Sequence, residues 1–315
     1  MQADRNPKIS IVVLTHNRRP LVEELLSALS TLPYQPLELI LVDNDSQDGT
    51  RRMVIEDFPS VIYLATGTNL GAVARNMGLL AASGEIVVTL DDDVFGLDDD
   101  ALERIASLFS HEPALGAVNF RVIGDKTGEV CNWVHHCRPD LYEDREFPTY
   151  EITEGAVAFR KKALSLTGFY TEYFFISHEG VDLALRLWEN GYKVIYSPDI
   201  SVRHCHASQG RPNWRRYYFD TRNQFWLVAR HLPPLYGFYY LLRGVLPMAA
   251  YSLRDRHFLY WLKGMADGLL GLGRALGERR VLSRQTMGVI RSINRNRADW
   301  RYLARKRLLR KGVSI

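Results

Sequence analysis

The chain has 315 residues, 46% hydrophobic and 24% charged, a balance that fits an ordinary folded protein and excludes a disordered, collagen-like or disulfide-scaffold chain. Its three cysteines, Cys131, Cys137 and Cys205, are too few for a disulfide framework and point to a reducing compartment. The net charge of +4 hides an asymmetry: residues 271–315 hold thirteen Lys or Arg against Glu278 and Asp299, a local +11 that leaves −7 for the rest.

The start, MQADRNPKIS, lacks the basic head and apolar core of a signal peptide, so a cytoplasmic location is expected. The first hundred residues alternate strand and helix patterns with short connections, the signature of an α/β fold with a mostly parallel sheet flanked by helices. Ile9 to Thr15 is a β-branched run, and Pro20 to Leu32 follows with helical spacing of Leu21, Leu25, Leu26 and Leu29. Leu37 to Asp43 is the second strand, Asp48 to Phe58 the second helix and Val61 to Ala65 the third strand. A helix over Gly71 to Ala82 precedes the strand Glu85 to Leu90. Beyond residue 100 the pattern predicts a helix near Ala101 to Phe109 and a strand near Ala117 to Val122. A later block predicts a strand at Gly155 to Phe159, a helix from Val181 to Asn190 and a strand at Lys193 to Tyr196.

From Tyr217 the chain turns to aromatic and aliphatic segments. Arg243 and Pro247 interrupt the first long apolar stretch, and Lys263 and Asp267 the second, so neither is expected to cross a membrane. The reading divides the chain into a nucleotide-binding, catalytic domain over residues 1–210 and a helical, basic and aromatic extension over 211–315. Peripheral contact of that extension with a membrane stands beside a subdomain packed on the core.

In open α/β sheets ligands bind outside the carboxyl ends of the strands. That singles out His16, Asn17 and Arg18, Asp43, Asn44 and Asp45, and the run Asp91, Asp92 and Asp93. Three adjacent carboxylates repel one another unless a cation neutralises them, and Mg²⁺ or Mn²⁺ is typically held by one or two carboxylates plus substrate phosphates. Asp98 to Asp100 read instead as a helix start. Arg75, in NLGAVARNMG, can supply a cation to a phosphate at a helix N-terminus, or simply be a surface charge. Glu179 opens a second acidic group with Asp182; as a general base it would deprotonate a hydroxyl, as a cap it would only start the helix. Arg186 lies four residues after Asp182, on the same helical face. His204 reads as a further cation ligand or a core histidine. CNWVHHC, with Cys205 and His206, lacks the spacing of common zinc sites. No Walker A or GxGxxG sequence is present, which disfavours kinase and hydride-transfer chemistry.

Taken in order, VVLTHNR, LVDNDSQDGT, NLGAVARNMG, LDDDV, EGAVAFRKKAL, HEGVDLALRL and the closing VRH resemble glycosyltransferase family 2, the inverting GT-A group, over residues 8 to 206. The resemblance implies transfer of a sugar from a nucleoside-diphosphate sugar to a glycan or lipid-linked acceptor, in cell-surface polysaccharide synthesis at the inner face of the membrane, with no nucleic acid as partner. It assigns donor contacts to Thr15, Asn17, Arg18, Asp43, Asp45, Arg75 and Asp92, a divalent metal to Asp91, Asp93 and His204, and the acceptor side to Gly155 and Arg186. Many members have Glu-Asp where this chain has Glu179 and Gly180, so the base role falls to Glu179, with Asp182 as second choice. Two rivals are a sugar-phosphate nucleotidyltransferase, which should carry a glycine-rich basic loop where this chain reads THNRRP, and a non-catalytic relative binding membrane or nucleic acid.

Overall fold

The structure is a computed structural model that describes residues 6–205, 214–299 and 301–302. A nine-stranded sheet runs through it: β1 (Ile9–Thr15), β2 (Leu37–Asp43), β3 (Ile62–Ala65), β4 (Ile86–Asp91), β5 (Val94–Phe95), β6 (Leu115–Gly124), β7 (Phe147–Pro148), β8 (Ala156–Arg160) and β9 (Lys193–His204). The main order is β3-β2-β1-β4-β8-β6-β9-β5, with β7 paired to β9. β1 to β4 are parallel, as are β6 and β9. β8 runs against both β4 and β6, and β5 and β7 run against β9. The sheet is therefore mixed.

The inversion of β8 places the site. Because β8 is antiparallel to β4, its first residues lie at the carboxyl end of β4, and Asp91 N–H donates to Gly155 O at 3.2 Å. Thr15 is in register with Asp43, and Leu14 with Asp91, so three strands end level. The expected strand Lys193 to Tyr196 extends to His204, because β6 continues beside it to Gly124. The expected helix from Gly71 opens instead with a 3₁₀ turn, Gly71–Ala74, before the α-helix Arg75–Ala81. Gly71 has φ +73°, and any Cβ on it would collide with Phe175 O, so only glycine fits that turn.

Alternation along β1 divides the core. Ile9, Ile11 and Val13 pack with Leu25, Leu26 and Leu29 of the helix Arg19–Ser30 and with Ile105 and Phe109 of the helix Ala101–His111. On the opposite face Val12 shares a cluster with Leu79, Leu183 and Leu187. That second cluster also takes in Leu227 and Trp226 of the helix Trp214–His231, and Met287, Ile290 and Ile293 of the helix Arg284–Ile293. The C-terminal helices thus share the core of the sheet. The division expected at residue 210 falls in residues 206–213, outside the described residues, as does His206. Among the described residues no helix is long and apolar enough to cross a membrane.

Candidate active site

The turns after β1 and β2 are laced into one rim. His16 Nδ1 lies 2.8 Å from Asn44 O, Asn17 N–H donates to Ser46 Oγ at 2.8 Å, and Gln47 N–H donates to Asn17 Oδ1 at 2.7 Å. Asn17 and Asp45 both adopt positive φ, at 54° and 72°, the left-handed conformation Asn and Asp tolerate best. Asp45 Oδ1 accepts from Gln47 Nε2 at 3.3 Å. Asp43 is buried and accepts from Ser46 N–H at 2.8 Å and Tyr63 OH at 2.6 Å. Asn44, a candidate by its place at the strand end, pins the turn before Gly71: its Oδ1 accepts from Leu70 N–H at 2.8 Å and its Nδ2 donates to Gly71 O at 3.1 Å.

The three adjacent carboxylates point to different partners. Asp91 pairs with Arg75 and packs against Gly155, where a Cβ would overlap its carboxylate. Asp92 is buried, accepting from Thr15 Oγ1 and from Arg18 Nη1, each at 2.7 Å. Burial drives its pKa up to about 6 against the opposing pull of Arg18. Asp93 accepts from Arg18 at 2.6 Å, and its other oxygen lies 3.3 Å from His204 Nε2. Burial would raise the Asp93 pKa, but His204 and Arg18 outweigh it and hold it low. Backbone pairing sets up that contact: Val94 pairs with His204, and Cys205 N–H donates to Asp93 O at 2.8 Å.

Several expected roles are redirected by these contacts. Thr15 turns its hydroxyl inward onto Asp92. Arg75, read as a phosphate-binding or surface cation, is buried under the cleft, where the charges of Asp91, Glu154 and Glu179 surround it. The structure brings Asp93 and His204 together but directs Asp91 to Arg75, so the expected set of three metal ligands is not assembled. Among the described residues no group of three or more His, Cys, Asp or Glu side chains forms a metal site. Asp93 Oδ1, which is buried and faces His204 Nε2 at 3.3 Å, makes with it a two-donor set. Such a set suits a cation whose remaining ligands are phosphate oxygens and water.

Glu179 stands at the first turn of the helix Glu179–Glu189, buried, with Oε2 meeting no hydrogen-bond partner. Burial, reinforced by the neighbouring Glu154 charge, drives its pKa up to about 8. Its approach is constrained. Phe175, Ser177 and His178 all have positive φ, which costs on the order of 1 kcal/mol or more per residue. Asn223 holds the segment there, its Nδ2 within 3.0 Å of Phe174 O, 2.8 Å of Ile176 O and 2.7 Å of Ser177 O. No local sequence signal tied Asn223 to this loop.

Asp182 does not reach the cleft. It is fully buried among Thr171 Oγ1 at 2.8 Å, Arg186 Nη2 at 2.8 Å, Arg230 Nε at 2.8 Å and His231 Nε2 at 2.7 Å. Burial would raise its pKa, but the Arg186 and Arg230 guanidiniums, with the His231 contact, hold it far below the usual carboxylate range. A carboxylate so neutralised is a poor proton acceptor. Arg186 is likewise occupied, donating to Thr167 O at 2.6 Å, Gly168 O at 3.0 Å and Phe169 O at 2.6 Å, so neither side chain is available to an acceptor. Asp98 pairs with Arg104 at the helix start, and His136 with Glu151.

Comparison with known proteins agrees with this architecture. Residues 10–170 match the family model described as Glycosyl transferase family 2. An N-acetylglucosaminyl-diphospho-decaprenol L-rhamnosyltransferase of Mycobacterium tuberculosis is 28% identical over 243 residues, covering 64% of this chain and 78% of its own. The O-antigen chain rhamnosyltransferase WbaN of Salmonella anatum is 26% identical over 236 residues, covering 68% of this chain and 71% of its own. A mannosyltransferase from Pyrobaculum calidifontis, solved with GDP-Man and Mn²⁺, superposes with a TM-score of 0.56 at 22% identity, over 93% of this chain and 86% of its own. The fold is the GT-A arrangement, a mixed sheet with flanking helices. The chain belongs to glycosyltransferase family 2 and is a glycosyltransferase.

Proposed function

We propose that this enzyme moves a sugar from a nucleoside-diphosphate sugar to a hydroxyl of a lipid-linked glycan, with inversion at the anomeric carbon, in the assembly of a cell-surface polysaccharide. The observation that carries the reading is the convergence of Asp91, Glu154 and the buried Glu179, whose Oε2 meets no hydrogen-bond partner, around Arg75. The relatives' names put an L-rhamnosyl donor and a diphospho-polyprenol-linked acceptor first.

In this reading the rim built from Asn17, Asp43 and Asp45 receives the nucleoside, and Arg18 lies between it and the diphosphate. Asp93 and His204 would hold Mg²⁺ or Mn²⁺, which when bound supplies Lewis-acid stabilisation to a departing diphosphate. Glu179 takes the proton of the acceptor hydroxyl as its oxygen attacks the anomeric carbon from the face opposite the diphosphate. A thermal-shift screen of UDP-, GDP- and dTDP-sugars tests donor binding, because a ligand that binds only the folded state raises its stability. At least one donor should raise the melting temperature, and no response to any of them would count against the assignment.

The helices Pro234–Arg254 and Phe258–Leu270 support a second element, peripheral contact with an anionic lipid surface at the inner face of the membrane. Leu235 is 89% exposed and Leu270 83%, with Phe238, Leu246 and Leu259 also facing outward. The basic excess of residues 271–315 complements anionic headgroups, at about 1 kcal/mol per cation near the surface. The protein should float with phosphatidylglycerol vesicles. Leu235→Glu with Leu270→Glu should weaken flotation about tenfold or more, since each buried Leu contributes roughly 1.5–3 kcal/mol. Unchanged flotation by that variant would remove these helices from the membrane contact.

A further inference from the structure

Gly180 leaves a space beside Glu179, and another part of the chain fills it. A Cβ built on Gly180 would overlap Glu154 Oε1 and come within 3.1 Å of Glu154 Cδ. Glu154 reaches this position because β8 is inverted. The residue lies just before β8, next to Gly155, which packs on Asp91. Its backbone is tied to the end of β4, Thr89 Oγ1 donating to Glu154 O at 2.6 Å. Glu154 is thus a carboxylate from the sheet standing against the first turn of the helix that carries Glu179.

We propose that Glu154 completes the catalytic base, so that a carboxyl pair, Glu154 with Glu179, takes the proton of the acceptor hydroxyl. The inference rests on the transferase reading above and deepens its acceptor half. Two carboxyl groups buried around a single guanidinium, one from the sheet and one from the helix turn it packs against, favour sharing one proton over ionising together. Burial raises the pKa of both; the Glu154 charge adds to the rise at Glu179 and the Asp91 charge to that at Glu154, and Arg75, already paired with Asp91, offsets this only in part. Once that shared proton is lost, the pair carries two negative charges and takes the acceptor's proton to return to the shared state. As the acceptor O–H breaks, its electron pair forms the new bond to the anomeric carbon. The bond from that carbon to the diphosphate oxygen breaks, its electrons leave with the nucleoside diphosphate, and the proton stays on the pair.

A purely structural role is the competing explanation, because the Gly180 N–H also faces the Glu154 carboxylate and a Glu there could serve only to cap the helix. Glu154→Gln separates the two, since the amide oxygen keeps an acceptor for that N–H while removing the charge. The test is transfer by the full-length enzyme, using whichever of the UDP-, GDP- or dTDP-sugars supports wild-type turnover. Glu154→Gln should bind donor within about twofold of wild type, lose roughly 10²-fold or more in kcat, and shift the rising, acidic limb of its pH profile to lower pH, because the charge that raises the Glu179 pKa is gone. Wild-type kcat with an unshifted limb would overturn the proposal while leaving the transferase reading intact. No turnover by the wild type with any donor would defeat both. A second variant guards against misfolding: Glu154→Gly with Gly180→Asp moves a carboxylate into the same space from the helix side. It should recover at least about tenfold over Glu154→Gly alone, and a folded exchange variant with no recovery would count against the pair.

Discussion

Glu179→Gln is expected to lower kcat by about 10²- to 10⁴-fold, the usual contribution of a positioned general base, while donor affinity stays near wild type. The amide keeps the shape of the side chain and removes only its ability to take a proton. The affected step follows from geometry: Glu179 is buried, Oε2 has no hydrogen-bond partner, and the loop before it is held in strained conformations by Asn223. The pH dependence has a definite sign. A base must be ionised to act, and burial together with Glu154 puts the Glu179 pKa at about 8, so wild-type kcat/KM should rise with pH and level off above about 8. A profile flat from pH 6 to 9, or a Gln variant with near-normal turnover, would remove Glu179 from the chemistry. Both are read from initial rates at saturating donor.

The second large effect is on stability. Asp182→Ala is expected to destabilise the protein by about 3–5 kcal/mol, the cost of breaking a buried ion pair and leaving the other charge uncompensated. Here Arg186, Arg230 and His231 would all lose their common partner. Asp182 links the helix Glu179–Glu189 to the helix Trp214–His231, and Arg230 continues the chain to Glu278. Loosening that link also loosens the platform under Glu179, so activity should fall with stability. Because the folded-state pKa of Asp182 is depressed, its stabilising contribution is complete above the unfolded value of about 4 and is lost as pH falls below it. Urea unfolding at pH 7 and pH 3 measures both claims, and a variant within about 1 kcal/mol of wild type at pH 7 would contradict the ledger for this network.

These two residues also mark the limits of sequence reasoning. Runs such as Ile9–Thr15 and Leu37–Asp43 carry their own hydrophobic signature, so their ends, and the polar residues there, could be read directly. Glu179 could be read too, because it opens an amphipathic helix. Asp182 stands only three residues further on, yet its partners Arg230 and His231 come from a distant helix. No local periodicity distinguishes a carboxylate facing a cleft from one facing those cations. Arg75 was misjudged for the same reason: its burial depends on Asp91, Glu154 and Glu179 meeting over it. Glu154 was missed altogether. Its importance follows from β8 running against β4, and strand direction is a property of the assembled sheet. The strand expected over Lys193 to Tyr196 stopped short of His204, but β6 and β5 draw the chain on into β9 and bring His204 to Asp93.

The central claim is that these strand ends bind a nucleoside-diphosphate sugar with a divalent cation seated at Asp93 and His204. The most direct measurement is the melting temperature of the wild type and of Asp93→Asn with UDP-, GDP- and dTDP-sugars, each with and without Mn²⁺. The account predicts that one donor with Mn²⁺ stabilises the wild type by about 2.7 kcal/mol at a hundredfold excess over Kd, more than the same donor without Mn²⁺, and that Asp93→Asn loses most of the Mn²⁺-dependent part. A wild type indifferent to every donor, or a Mn²⁺ effect undiminished in Asp93→Asn, would contradict it.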